Sequence, residues 1–453
     1  MTLWDVLTDV GFISLLLLIG AFLRAKIKFI QMLFLPASLI AGVLGLILGP
    51  SGLSIIPFSD NLPVYSAVLI AIIWASLPFT SKLESFTRII KNAKNMWAFS
   101  QVLTILQWAA GMLFALLILN SFWNGLPNGF GLMFAAGFFG GHGTAAALAD
   151  GFGTNWPEAH SLGMTSATIG IITAIVGGII ITKFETQRGK TSFITSFKEL
   201  PNELRTGLIE KNDRKPFGYN TVSAMSIDPL IYHSGLLILI AMIGYYLSEL
   251  ANAIFPQITV PVFSLAFILG YIIVLILKAL KADSYFDKQI FERTSGASTD
   301  LLVAFGVASI NISVVSSYAV PLSLLLLFGI AFCLFLYFYL APKFFHQYTV
   351  EKSLFCWGWG TGTVAMGMAL LRIVDPELKS KALDEYGLAY IPIGFMDIIT
   401  IALLPTLIIS GHHWFFTFTA LAIGILILVV TKLLGWWGKA PTNIQPTERK
   451  IGS

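Results

Sequence analysis

Two glycine-rich clusters that also carry threonine are the residues of this sequence best suited to bind an ion or a small anion. They are Gly140-Gly141-His142-Gly143-Thr144 and Gly358-Trp359-Gly360-Thr361-Gly362-Thr363. Glycine opens backbone conformations that other residues avoid, and it lets the backbone approach a ligand closely. Broken helix ends offer free amides to an anion and free carbonyls to a cation. The predicted substrate-binding residues in these clusters are Gly141, His142, Gly143, Thr144, Thr361, Gly362 and Thr363. The alternative is that the glycines only permit close helix packing.

Two basic residues, one after the second cluster and one within the first, have more than one possible role. Arg372 follows the second cluster, and its guanidinium could clamp a substrate carboxylate through two hydrogen bonds. It could equally pair with Asp375 or anchor the cytoplasmic face. His142 could contact substrate, or it could be a hydrogen-bonded strut between its glycine neighbours.

Asp397 is an acidic residue in the middle of an apolar segment. An ionised carboxylate at the centre of a membrane helix costs roughly 2.5 to 3.5 kcal/mol, so such residues usually serve a function. We predict that Asp397 binds a coupling cation or relays a proton; a structural hydrogen bond to a neighbouring helix is the alternative. Asn311 and Thr173 are further candidate sodium ligands, although the Asn311 amide could equally be a packing group.

The composition indicates that these residues lie in a membrane. Of 453 residues, 56% are hydrophobic and 11% are charged, whereas soluble domains carry roughly 25% charged residues. The sequence contains no HExxH zinc pair, no P-loop and no GxSxG nucleophile. We therefore predict that the protein is not an enzyme and has no cofactor, and that uphill transport would be driven by an ion gradient such as that of Na⁺.

Apolar segments recur along almost the whole chain, and we interpret eleven of them as membrane spans. Two glycine-rich segments, at about 130–149 and 354–371, remain and are predicted to be re-entrant hairpins. The predicted spans are about 10–23, 33–49, 63–80, 96–120, 160–182, 232–252, 259–279, 298–315, 320–341, 387–410 and 413–436.

The distribution of basic residues tests this topology. With eleven spans and two re-entrant hairpins, all 28 lysines and arginines fall on one side of the membrane. Basic residues near span ends are retained in the cytoplasm. The expected location is therefore the bacterial inner membrane, with the amino terminus outside and the carboxyl terminus inside. The positive net charge then reflects topology and attraction to the lipid bilayer, and nucleic-acid binding is not expected.

The two halves of the chain resemble each other. Gly141-His142-Gly143-Thr144 aligns with Gly360-Thr361-Gly362-Thr363, and Gly163 and Gly170 align with Gly387 and Gly394. In the same alignment Thr173 corresponds to Asp397. Five spans per repeat is an odd number, so the second copy is predicted to be inverted. The predicted organisation is an all-α polytopic membrane protein with two inverted five-helix repeats, each with a hairpin. The predicted regions are 1–183, a cytoplasmic linker at 184–228, a second repeat at 229–410, and an extra helix with a tail at 411–453.

The hairpin sequences resemble those of the glutamate:sodium symporter family of bacterial secondary transporters. The resemblance rests on residues 140–146, on Thr361-Gly362-Thr363-Val364-Ala365-Met366-Gly367-Met368, and on Phe395-Met396-Asp397-Ile398-Ile399. It implies sodium-driven glutamate uptake, hairpins that enter from opposite faces, a homodimer and an elevator-like motion. Better-known members carry proline and asparagine where this chain has Gly362 and Gly367, so a side-chain amide is missing from its second hairpin.

Several alternatives remain at this point. One is a proton- or sodium-coupled carrier of another organic anion, such as a dicarboxylate. An ion channel is a second, although it would need a continuous polar pore that two opposed hairpins would obstruct. A membrane sensor or scaffold is disfavoured because the linker and tail are short.

Overall fold

The computed structural model describes residues 2–32, 35–80, 86–193, 206–214, 216–254 and 260–437. Within these ranges the chain is helical and has no β-strand. Nine helices in the described ranges are long and apolar enough to cross a membrane. The predicted all-helical membrane fold is therefore confirmed.

The first half of the chain consists of long helices followed by a broken segment and a further long helix. Helix α5 is kinked at Ala93 and continues through a π-helical turn, Ala115–Leu119. The helices are α1 (Leu3–Lys26), α2 (Lys28–Met32), α3 (Ala37–Leu48), α4 (Leu62–Thr80), α5 (Phe86–Phe114), α6 (Asn120–Phe122), α7 (Leu132–Gly137), α8 (Gly141–Phe152) and α9 (Ala159–Gln187).

The second half repeats this order of elements. It also has a π-helical turn, Leu336–Leu340, in the helix that corresponds to α5. The helices are α10 (Pro229–Ile254), α11 (Val262–Ala279), α12 (Lys288–Ala308), α13 (Ile312–Ser317), α14 (Ala319–Phe335), α15 (Ala341–Phe344), α16 (Thr349–Thr361), α17 (Val364–Val374), α18 (Ala382–Ile409) and α19 (His413–Leu433).

The helices form two bundles, and each half of the chain contributes to both. In the first bundle, α1, α3 and α4 pack with α10, α11 and α12. In the second bundle, α5, α7, α8 and α9 pack with α14, α16, α17, α18 and α19. Two small apolar cores lie within the first bundle, whereas one large core rich in phenylalanine and tryptophan fills the second bundle and continues into α3, α4, α11 and α12 of the first.

Both glycine-rich segments are helical hairpins. In the second hairpin, α16 and α17 lie so close that a Cβ added at Gly358 would be 2.7 Å from the Gly367 Cα. The two ends of the first hairpin also lie together, since a Cβ at Gly129 would be 3.3 Å from the Phe152 ring. Each segment therefore enters and leaves at the same end of the second bundle.

The two hairpins enter from opposite ends of the bundle. The base of the second hairpin lies at the start of α18, where Lys352 Nζ is 2.6 Å from Glu385 Oε1. The base of the first lies at the other end of α18, where a Cβ at Gly129 would be 3.3 Å from Ile408 Cγ2. Helix α18 has 28 residues and so spans about 40 Å.

The structure corrects two of the predicted spans. The eighth was expected over 298–315, but α12 ends at Ala308 and a separate helix, α13, starts at Ile312. The Asn311 side-chain oxygen accepts the amides of Ser313 and Val314, so it caps the new helix and Asn311 is not in the middle of a span. The second span was expected over 33–49, but α3 has only 12 residues. Such a helix is about 18 Å long, shorter than the ~30 Å hydrocarbon core.

Candidate functional site

The tip of the first hairpin lies between α7 and α8. Gly141 begins α8 with φ of +62°, a left-handed conformation that favours glycine. The first amides of a helix have no partners within that helix, so they are free to meet an anion. Thr144 lines a cavity described below, while a Cβ at Gly143 would be 3.5 Å from Ile70 Cδ1 of the first bundle.

His142 points away from this cavity. Its Nε2 atom is 3.2 Å from the Thr168 hydroxyl on α9. That hydroxyl donates its own proton to the Met164 carbonyl, so we assign the proton of this bond to His142 Nε2. The ring is buried at 3% exposure, and this placement corresponds to the strut, the second of the two roles that the sequence allowed.

The tip of the second hairpin lies between α16 and α17. The Thr361 hydroxyl donates to the Trp357 carbonyl at 2.7 Å, and Thr363 caps α17 by accepting the Met366 amide at 3.4 Å. The Gln107 amide donates to the Gly360 carbonyl at 2.7 Å. These bonds satisfy polar groups that would be costly if left unpaired inside a membrane.

The glycines at positions 362 and 367 have no room for side chains. A Cβ at Gly362 would be 2.8 Å from the Ala174 Cβ, and one at Gly367 would be 2.6 Å from the Phe355 carbonyl. The tight packing of the two arms against each other and against α9 therefore excludes the proline and asparagine of the better-known sequences. The second tip consequently offers backbone and threonine groups but no carboxamide.

The two tips meet next to Gly170 of α9. A Cβ at Gly141 would be 3.5 Å from the Gly362 carbonyl oxygen. A Cβ at Gly170 would be 2.7 Å from the Thr361 carbonyl of one hairpin and 2.8 Å from the Gly137 carbonyl of the other. The two clusters singled out in the sequence are thus brought together in space.

A cavity of about 630 Å³ lies between the two bundles, next to the first tip. One wall comes from α4 and α11 of the first bundle, and the other from α18 and the first tip. Aromatic rings cover much of this surface: Trp74, Phe139, Phe267, Tyr271, Trp359, Tyr390 and Phe395. Exposed Lys278, Lys288 and Asp384 lie at the end remote from the tip, so the cavity opens towards charged residues and closes against the hairpin.

Asp397 faces this cavity. It shares one face of α18 with Tyr390 and Gly394, which precede it by seven and three residues and also line the cavity. The side chain is partly exposed. Within the described part of the chain, no group donates a hydrogen bond to its carboxylate or forms an ion pair with it.

The profile of a family described as sodium/glutamate symporter matches residues 3–374. The chain belongs to the sodium/glutamate symporter family. Comparisons with curated proteins and with solved structures found no match. The predicted resemblance is confirmed, although α18 and Asp397 lie beyond the matched residues.

Membership in the sodium/glutamate symporter family indicates a multi-pass membrane transporter. Sodium is the coupling ion and glutamate the substrate in the family's description. This family consists of transporters, which implies that the chain is not an enzyme. Both hairpins, with the predicted substrate residues of their tips, lie within the matched residues.

The remaining predicted residues do not gather around Asp397. Arg372 lies in the last turn of α17, nine residues from Thr363 at the tip, and the Asp375 carboxylate accepts the amides of Lys379 and Ser380. The Asn311 oxygen is engaged in capping α13. Thr173 is on α9 and, like Asn311, does not line the cavity. The structure does not bring Asp397, Asn311 and Thr173 together around one cavity. A sodium site shared by these three residues stays a prediction.

Sequence reasoning missed the aromatic wall of the cavity. Tyr390, Gly394 and Asp397 recur at intervals of three and four residues, a helical period that could have indicated one functional face. Trp74 and Tyr271 had no such signal, because they come from other helices of the first bundle.

Proposed function

We propose that the protein is a sodium-coupled symporter for glutamate or a related anionic amino acid. The observation that carries the proposal is the meeting of two hairpin tips from opposite ends of one bundle, beside a cavity that reaches only one end. The substrate carboxylate binds at the amino terminus of α8, where Gly140 and Thr144 line the cavity. Binding of sodium together with the anion reduces the penalty of moving charge through hydrocarbon.

The movement is that of an elevator, in which the second bundle carries the tips past the first bundle. Two hydrogen bonds between described residues join the bundles, both near the start of α9: His160 Nε2 to Ser309 Oγ at 2.8 Å, and the Asn311 amide to Ser161 Oγ at 3.0 Å. They lie at the end opposite to the cavity mouth. In the orientation given by the basic residues, this is a cytoplasm-facing conformation with a closed outer end.

The test of the function is uptake of labelled L-glutamate into proteoliposomes. Under an inward sodium gradient we expect saturable accumulation, and we expect none when sodium is replaced by potassium. Glutamate uptake that is driven by a pH gradient in the absence of sodium would instead indicate a proton-coupled carrier. Ohmic current without saturable counterflow would indicate a channel. Either result contradicts the proposal.

The test of the movement is a disulfide across the closed end. Cysteines at positions 160 and 309, in a background with Cys333→Ala and Cys356→Ala, should form a bond on oxidation, because the native side chains touch. We expect oxidation to stop uptake and reduction to restore it. The single variant His160→Cys is the control. Full uptake by the oxidised double variant would show that the bundles need not separate here.

The proposal also includes a homodimer in the bacterial inner membrane, with the amino terminus outside. The location of all 28 lysines and arginines on one predicted side supports the orientation. Labelling of single exposed cysteines by an impermeant reagent in intact cells tests it. Labelling at Lys278→Cys without cell lysis would contradict it.

A further inference from the structure

The cavity beside the first tip combines one unpaired carboxylate with a wall of aromatic rings. Asp397 is the acidic residue on its inner surface, since Asp384 lies at the mouth, thirteen residues earlier on α18. The rings of Phe267 and Tyr271 pack against Phe395, with centroids 5.9 and 6.0 Å apart. Gly394 leaves space one turn before Asp397, because the nearest atom to an added Cβ there belongs to Tyr390 at 3.6 Å.

This composition suits an organic ammonium group better than a sodium ion. Hard metal cations in proteins are held by several oxygen ligands, and the described residues contain no group of three histidine, cysteine, aspartate or glutamate side chains that could hold a metal ion. The other predicted sodium ligands, Asn311 and Thr173, do not line the cavity. A single carboxylate in a cavity lined by aromatic side chains instead matches the way in which proteins recognise amines, through a charge-assisted hydrogen bond and cation–π attraction.

The two ends of an anionic amino acid then have separate partners. A carboxylate would bind at the first tip, where α8 begins and Gly140 and Thr144 line the cavity, and the ammonium group would face α18 across the same cavity. Gly362 and Gly367 offer no side-chain ligand at the second tip. The contact between the ammonium group and α18 therefore supplies a larger share of the substrate's binding free energy.

We infer that Asp397 binds the substrate's amino group, so that the transporter selects an amino acid over a dicarboxylate of the same length. This inference rests on the proposed function and deepens it. It assigns a chemical role to the one acidic group that the described residues place on the inner surface of the cavity, and it makes the amine, rather than chain length alone, the feature that decides which anion is carried.

The experiment compares L-glutamate with glutarate, which has the same carbon chain without the amine, as competitors of labelled glutamate uptake in proteoliposomes. In the wild type we expect glutarate to compete at least about tenfold less well, because it leaves the Asp397 carboxylate facing the cavity unpaired. In Asp397→Asn we expect glutamate affinity to fall at least about tenfold and the preference over glutarate to disappear. Asp384→Asn, on the same helix at the mouth, is the matched control and should retain both.

The outcomes separate this inference from the proposed function. Glutarate competing as well as glutamate in the wild type overturns the inference without using any variant. An Asp397→Asn protein that keeps its preference but loses sodium activation also overturns it, because the residue would then be a sodium ligand. No sodium-driven glutamate uptake by the wild type is a failure of the proposed function, and the inference falls with it. Asp397→Glu, which keeps the charge, should partly preserve the preference for glutamate.

Discussion

Helices α9 and α18 occupy equivalent places in the two halves, yet the glycines that align between them have opposite surroundings. On α9, Gly170 is enclosed by carbonyl groups of both hairpins, at 2.7 and 2.8 Å from an added Cβ. On α18, the nearest described atoms to a Cβ added at Gly394 belong to the Tyr390 ring, at 3.6 Å, and no described atom lies within 4 Å of one added at Gly387. The comparison shows that one glycine pattern can serve close packing in one repeat and open space in the other.

The same asymmetry extends to polarity. Position 173 on α9 is threonine, whereas the aligned position 397 on α18 is aspartate and faces the cavity. Trp357 of α16 fills the space beside Gly177 of α9, and its indole donates a hydrogen bond to the Ala174 carbonyl at 3.1 Å. Helix α9 therefore packs closely against both hairpins, while α18 supplies the cavity surface on which we propose that the substrate is recognised.

The strongest test of this comparison is the pair Gly170→Ala and Gly394→Ala. A methyl group at 170 would collide with two backbone carbonyls that cannot rotate away, so we expect a loss of about 1–3 kcal/mol or more of folding free energy and little uptake. The same change at 394 should cost little. The midpoint of thermal unfolding in detergent and glutamate uptake measure both. Equal midpoints for the two variants would mean that the tips do not close around α9.

A larger side chain at the open position sharpens the comparison. Gly394→Leu should place its side chain in the cavity and reduce uptake more than about tenfold, because the substrate would lose space next to Asp397. The midpoint of unfolding should change little. Gly11→Leu is the control, since Gly11 is an exposed α1 glycine and a Cβ added there has no atom within 4 Å in the part of the chain that the structure describes. Normal uptake by Gly394→Leu would place the substrate elsewhere.

Sequence reasoning predicted the two tips because a helix broken inside a membrane needs residues that satisfy its backbone, and the paired glycine and threonine clusters are unusual enough to be found. It did not predict the end of α12 at Ala308. The break there depends on the Asn311 side chain accepting backbone amides, while four of the residues 309–315 are isoleucine or valine and so continue the apolar run. Hydropathy does not record such a local competition.

The cavity was harder to predict from the sequence than the hairpin tips. Its walls come from α4, α11 and α18, which are far apart along the chain and meet only through packing of the two bundles. Asp397 was found because charge is rare inside a membrane. Its aromatic neighbours were not, because aromatic residues are common throughout this sequence, at 13%, and nothing local distinguishes those that face a cavity from those that face lipid.

A smaller effect is expected from the hydrogen bond between the second hairpin and α9. Trp357→Phe keeps a ring in the space beside Gly177 but removes the indole donor to the Ala174 carbonyl. We expect a loss of about 0.5–1.5 kcal/mol, the usual net contribution of one hydrogen bond, seen as a lower unfolding midpoint. Trp414→Phe, at a partly exposed position on α19, is the control. A midpoint equal to that of the wild type would show that this bond does not hold the hairpin.

The smallest expected effect is at the second open glycine. Gly387→Ala adds a methyl group where no atom of the described residues lies within 4 Å, and alanine is favoured over glycine in a helix by roughly 0.5–1 kcal/mol. The variant should therefore unfold at the same or a slightly higher temperature and keep its uptake within about twofold, a margin below 0.5 kcal/mol. The aligned change Gly163→Ala places its Cβ 3.1 Å from the Ala145 Cβ, so it should be the less stable of the two. The reverse order would mean that the α18 face is covered in the membrane, and that the openness of α18 is not what separates the two repeats.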